Sequence, residues 1–463
     1  MTPLPRHYRD LIVLSAPIAG IQFAQIALTS TDLMMMGLIG MEAIAAGGLA
    51  LLLYNQFRTM CVGMVTGLGN LVATSIGRGE RRTDDVVVDA TAQEEIRDLI
   101  HAALFLATVV ALVSGGLLAG LSYCLTDLGQ DSAVVTLARP VMIALAPGLL
   151  PMVWLNVLRQ FAVGMRRPGS LFWVTLVSIA VNALLNAVFI YGWLGLPRLG
   201  LTGIGLSTTV VQLWTFLVYL RAVQRDQDLK DLLSLAFWKA RPATVLKIAK
   251  MGAPISLTYG LEASITSVAS ILIGNFGPVV LAASNIVNQL AKIVYQLNVG
   301  LSHGSSIMVS RAIGQQKYEE IGGIARGALT ICFVPMMAIG LIYLLFPHFV
   351  LWPFLGVHAD PAVLSTTTTL LWFAVVNQFL AASQNIYIGL LRGLGNTQSG
   401  LTNTLVGYWL IGIPTIFFCS DWLGWGGEGV WLGLCIAFGA SSLLLWRRFT
   451  ADLERMSQPE WRD

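Results

Sequence analysis

The sequence predicts an all-α polytopic membrane protein, with twelve transmembrane helices in two six-helix lobes related by pseudo-twofold symmetry. Three observations predict it. Of the 463 residues, 56% are hydrophobic and only 11% are charged, against roughly 25% charged in a soluble domain. The apolar sequence divides at its polar breaks into about twelve runs of spanning length. The chain also repeats itself: Ala16–Gly40 (APIAGIQFAQIALTSTDLMMMGLIG) returns as Ala253–Gly277 (APISLTYGLEASITSVASILIGNFG) at a constant offset of 237.

The spans are expected to begin near residues 11, 43, 98, 133, 168, 199, 243, 279, 322, 362, 399 and 427. GLIGMEAIAAG (Gly37–Gly47) aligns with GNFGPVVLAAS (Gly274–Ser284), and SIGRGE (Ser75–Glu80) with AIGQQK (Ala312–Lys317), on the same offset. Beyond Arg81 the offset falls to 225, where HAALF at His101 matches RGALT at Arg326. The extra residues of the first copy lie in the polar stretch TDDVVVDATAQEEIRD, expected to form a short cytoplasmic helix. Gly164 then matches Gly393, and Leu194-Gly195 matches Leu423-Gly424, at offset 229. Six spans per copy is an even number, so both copies enter from the same side and the repeats are parallel. The expected division is a lobe over 1–225, a cytoplasmic linker over 226–246 and a second lobe over 247–463. Arg221–Lys250 carries apolar residues at helical spacing and is expected to lie along the cytoplasmic surface as a linker.

Charge sets the orientation. Of 28 Lys and Arg, all but Arg58, Arg139, Arg198 and Lys292 fall at the N-terminus, the even-to-odd loops or the C-terminus. By the positive-inside rule both termini are expected to be cytoplasmic; the cytoplasmic (inner) membrane is the expected location. MTPLPRHYRD runs into a full-length span without a small-residue cleavage site, so no removed signal peptide is expected. The five cysteines, in or at the ends of apolar spans and without a CxxC pair, read as small core residues. Pro17 and Pro254 open their helices at matching positions. Each is either a first-turn proline or the site of a bend ahead of a buried acid.

Four charges lie well inside spans: Asp32, Arg58, Glu262 and Lys292. Charges at membrane depth are costly and mark functional sites. Glu262 and Lys292 are each fifteen residues from a turn at Gly277, hence level, about 22 Å in. They are expected to pair, either as a structural neutralising pair or as a cavity pair. Asp32 lies eight residues before Gly40 with no cation opposite it. Asn182 and Asn186, four apart on one helical face, are its expected partners, the alternative being interhelical amide contacts alone. Gln25, Arg58, Asn285 and Tyr295 are candidates to line a cavity. There is no GxxxxGK[ST], no GxSxG and no metal-ligand spacing among the five histidines. An enzyme, a metal or a cofactor is therefore not expected, and the dispersed basic residues do not suit nucleic acid.

Taken in order, several motifs resemble the multidrug and toxic compound extrusion (MATE) transporters, closest to the NorM-type branch, over essentially the whole chain. They are the Ala-Pro start with Thr31-Asp32, IGRGE, NALLNAVFIYG, LGLTGIG, and LLRGLGNTQ opening onto GYWLIGIP. The resemblance implies two six-helix lobes around a central cavity and export, mostly of organic cations, driven by a proton or sodium gradient. It implies that Asp32 binds the coupling ion, with Asn182 and Asn186 beside it; the DinF-type branch has an aspartate where this chain has Asn186. Glu262 matches the seventh-helix glutamate of the NorM-type branch. That branch's tenth-helix aspartate is missing: Pro361–Ser420 holds no Asp or Glu, and the aligned residue is Ala381. With Lys292 nearby, this favours the proton over sodium as coupling ion. The implied partners are a small amphipathic or cationic substrate and the lipid bilayer, with the protein working as a monomer. Two other readings compete. A flippase or exporter of lipid-linked or anionic substrates would suit a cavity lined by Arg58 and Lys292; a non-transporting scaffold or receptor has no use for buried charges.

Overall fold

The computed structural model describes residues 6–84, 86, 88–356 and 360–458, without a strand among them. Twelve long helices appear among the described residues. The first half contains α1 (Arg6–Ile39), α2 (Met41–Thr83), α3 (Ala90–Cys124), α4 (Ser132–Gly164), α5 (Gly169–Tyr191) and α6 (Leu201–Arg225). The second contains α7 (Pro242–Gly274), α8 (Pro278–Gln315), α9 (Tyr318–Leu345), α10 (Pro361–Gly393), α11 (Thr397–Trp422) and α12 (Gly426–Met456). Eleven are long and apolar enough to cross a bilayer; α8 has the length, 38 residues, but carries more polar side chains. The fold class is the expected one.

Helix starts fall close to the expected positions, with two instructive exceptions. α1 begins at Arg6 and α3 at Ala90, because both extend beyond their apolar stretches. Asp89 caps α3 by accepting the N–H of Ala92 at 3.0 Å. The Nε–H of Arg82 reaches the same carboxylate at 2.7 Å and holds it below the usual carboxylate range. Ala90–Asp98, the second part of the acidic insertion, is therefore the first turns of α3 rather than a separate helix, and residues 85 and 87 lie outside the described residues.

The stretch joining α6 to α7 is not a surface helix either. It forms turns and a single 3-10 turn, Phe237–Lys239. Its apolar residues are anchors: Leu229 and Leu232 are buried in the core of the first lobe, and Phe237 packs edge-on against Trp154 at 5.7 Å. Arg167 pairs with Asp226 at 3.4 Å and with Asp228, and Arg97 donates to the Asp231 carbonyl.

Packing divides the chain into two compact units, Gly20–Leu257 and Met1–Ala19 with Thr258–Asp463. The division runs inside α1 and α7, whereas the repeat alone places it at 226–246. Pro17 and Pro254 lie roughly three turns inside their helices, which excludes first-turn prolines. Each sits just ahead of the point where its helix passes from one unit to the other.

The seams inside each unit reproduce the repeat. In one, Gly63 of α2 abuts the backbone of Ser256, Gly67 abuts Met251, and the Ser256 hydroxyl donates to the Met60 carbonyl at 2.8 Å. In the other, Gly300 of α8 abuts Ala19 and Gly304 abuts Ser15. The offset of 237 carries Gly63 to Gly300, Gly67 to Gly304 and Ala19 to Ser256. Gly164 against Gly69 and Val72 likewise corresponds to Gly393 against Ser306 and Val309. A Cβ on Gly393 would lie 2.7 Å from the Ser306 carbonyl oxygen, a backbone atom with no rotamer to yield. Gly393→Ala and Gly164→Ala are each expected to lower stability by about 1–3 kcal/mol, read as a lower Tm of the purified protein. An unchanged Tm would mean that the helices separate at these crossings.

Candidate functional site

In the unit Gly20–Leu257, Asp32 of α1 is only 4% exposed. Its Oδ1 accepts amide N–H groups from Asn182 and Asn186 of α5, each at 2.8 Å. Its Oδ2 accepts the hydroxyl of Thr208 of α6 at 3.2 Å. The close approach of α5 and α6 brings these groups together: Gly203 lies against the backbone of Phe189, where a Cβ would be 2.9 Å from the carbonyl carbon. The expected partners of Asp32 are thus both in place. Thr208 was not expected. Its hydroxyl also reaches the Ile204 carbonyl at 3.0 Å, and its single hydrogen serves one acceptor at a time. Asn186 Oδ1 is buried without a partner among the described residues.

Beside Asp32 lies a small cleft that is partly open to solvent. Gln25, Tyr54, Asn55, Arg58 and Gln212 line it, and Asp32 and Thr208 stand at its wall. Arg58 is half-buried and donates one N–H to Gln25 Oε1 at 2.9 Å. Tyr54, one turn before Arg58 on α2, has a buried hydroxyl with no partner among the described residues.

In the other unit, Glu262 accepts the hydroxyl of Tyr295 at 2.9 Å. The expected Glu262–Lys292 pair does not form, and Lys292 is exposed. Equal distance from the turn is the wrong criterion, because side chains lean toward the N-terminus of their own helix. On α7 that leads away from Gly277, and on α8 back toward it. The residue that meets Glu262 therefore lies further along α8, eighteen rather than fifteen residues from Gly277. Gln25 and Arg58 stand at the same fifteen and eighteen around Gly40. Asn285 is exposed on α8, and Ala381 is buried. Sequence reasoning also missed Arg392, 2% exposed, which donates to Ser306 Oγ at 3.2 Å and to the Tyr259 hydroxyl at 3.4 Å. Its signal was the LLRGLGNTQ motif. The Gln384 amide donates to the buried Tyr408 hydroxyl.

The MatE family model matches residues 17–188 and 254–418, one segment in each copy of the repeat. The chain belongs to the MATE family. Its NorM-type character rests on full-length relatives named "Probable multidrug resistance protein NorM". That of Pseudomonas aeruginosa is 31% identical over 95% of this chain and 89% of its own length. That of Rhizobium meliloti is 30% identical over 98% and 95%. The Vibrio cholerae MATE transporter VcmN in its bent form shares the fold, with a TM-score of 0.83 at 14% identity over 97% of this chain and 98% of that one. The protein is accordingly a multi-pass membrane transporter of the MATE family. Among the described residues of this MATE transporter, no group of three or more His, Cys, Asp and Glu could hold a metal ion.

The second-lobe geometry makes a direct prediction. In double-mutant cycles read by thermal unfolding, Glu262→Gln with Tyr295→Phe should show coupling of about 1–3 kcal/mol, the worth of a hydrogen bond to a charged group. Glu262→Gln with Lys292→Met should be additive within about 0.5 kcal/mol. Coupling to Lys292 instead would restore the expected ion pair.

Proposed function

We propose that this protein is a proton-coupled antiporter that exports small amphipathic or cationic organic compounds across the cytoplasmic membrane. Asp32 is the coupling group. One observation carries the reading: a buried carboxylate is held by three neutral hydrogen-bond donors, and no cationic side chain pairs with it among the described residues. Its countercharge must come from a mobile cation.

The donor set favours a proton. With Asp32 ionised, Thr208 donates to Oδ2. With a proton on Oδ2, the acid donates to Thr208 Oγ, and the Thr208 hydrogen turns to the Ile204 carbonyl. The two amides stay on Oδ1 throughout, so one hydroxyl rotation serves both states. Sodium would need several oxygen ligands, whereas both amides turn N–H groups toward the carboxylate. The NorM names of the relatives support multidrug compounds as cargo. We further propose that both termini are cytoplasmic, from the distribution of Lys and Arg, that the protein works as a monomer, and that the sequence lobes are 1–225 and 247–463 joined by 226–246, the starts of α1 and α7 packing outside their own sequence lobe.

Ethidium export by the reconstituted protein under an imposed proton gradient tests the reading. Export is expected in sodium-free medium, with collapse on adding a protonophore. Asp32→Asn should abolish it at unchanged yield, since asparagine cannot titrate. Thr208→Val should slow it about 10-fold or more, the equivalent of a lost hydrogen bond to a charged group, while Thr208→Ser should keep most of the rate. Export that survives the protonophore and stops when sodium is withdrawn would overturn the choice of ion. Full export by Asp32→Asn would remove Asp32 from the coupling role.

A further inference from the structure

We propose that the cleft of the unit Gly20–Leu257 holds an anion-recognition subsite, built by Arg58 with Tyr54, that takes the carboxylate of an exported compound. The inference rests on the transporter reading above and names the side chains that hold the acidic end of a carboxylate-bearing amphipathic compound.

Arg58 lies inside a membrane-spanning helix, and no carboxylate stands within ion-pair distance of it among the described residues. A guanidinium carries five N–H donors, and the neutral Gln25 oxygen takes one of them. Asp32, the one acid among the residues that line the cleft, already accepts three hydrogen bonds from other groups. Tyr54, one turn earlier on the same face of α2, is 3% exposed, and its hydroxyl lacks a partner among the described residues. Arg58 and Tyr54 therefore both border one cleft, and among the described residues no carboxylate there balances the charge of Arg58. Unpaired buried donors and charges are costly, and a planar guanidinium matches a carboxylate bidentately. Leu28, Leu51 and Val211 line the same cleft and offer apolar surface to the body of such a molecule.

The repeat supplies an internal control. The offset of 237 carries Gln25 to Glu262 and Arg58 to Tyr295. Both units make the bond between these positions, at 2.9 Å each. A neutral phenol holds the geometry in the second unit, so the geometry does not require a cation in the first. The positive charge of Arg58 is left for a ligand.

Rhodamine 110, which has a free carboxylate, and its methyl ester rhodamine 123 make a matched pair of probes. For the wild-type protein, fluorescence anisotropy should give tighter binding of rhodamine 110 than of the ester, and proteoliposomes should export both. Arg58→Gln should weaken binding and raise the transport KM for rhodamine 110 at least 10-fold, and change rhodamine 123 less than 3-fold. Tyr54→Phe should shift rhodamine 110 selectively by a smaller factor. Arg58→Lys, which keeps the charge without the fork, should fall between wild type and Arg58→Gln; it carries the test if the glutamine variant does not fold. Equal effects on both dyes, or no preference for rhodamine 110 in the wild type, would overturn the subsite. Carboxylate-selective binding lost with Arg58, but without gradient-driven export of either dye, would uphold the subsite and overturn the transporter reading instead.

Discussion

Backbone contact between helices is the constraint on which this structure depends. Lipid tails are as apolar as the helices, so association must come from close packing and interhelical hydrogen bonds rather than from apolar burial. Gly63 against Ser256, Gly300 against Ala19, Gly164 against Val72 and Gly393 against Val309 each bring two helices together where a methyl group would collide. The polar groups then find partners at fixed distances, because the helices that carry them have little freedom to slide. The hydrogen bonds to Asp32 from α5 and α6 are made where Gly203 lets those two helices meet.

The two copies have kept this scaffold and exchanged its chemistry. The position of Asp32 corresponds to Ala269, while Glu262 corresponds to Gln25. Each unit thus carries its acid at a different depth from the turn. The donor opposite the inner position is a guanidinium in one unit and a phenol in the other, with the same bond length. Duplication supplied two equivalent stations, and divergence gave them opposite charge.

What the sequence made legible was whatever is periodic or expensive. Apolar runs of spanning length and a constant offset give helices and halves directly. A lone acid in such a run demands partners, and two amides four residues apart announce themselves as those partners. Thr208 gives no such notice. Serine and threonine in these helices routinely donate to the carbonyl four residues back, as Thr66 does to Val62 and Thr108 to Leu104, so a threonine that also reaches a carboxylate looks the same in the sequence. The Glu262–Lys292 pair failed for a different reason: depth along the axis was considered without the lean of the side chains. The joining stretch misled because apolar residues at helical spacing serve equally well as separate anchors, as Leu229, Leu232 and Phe237 do.

The exchange of helix starts has a consequence for how such a chain could arise. The first turns of α1 pack with the unit of the second half, and the first turns of α7 with the unit of the first. The first copy of the repeat, standing alone, would lack the α7 start that covers the seam at Gly63 and Gly67. Borrowing the opening helix of a second identical chain would close that seam, which is the arrangement of a domain-swapped homodimer. Fusing two such copies end to end turns a mutual loan between molecules into an internal one, and frees each copy to mutate separately.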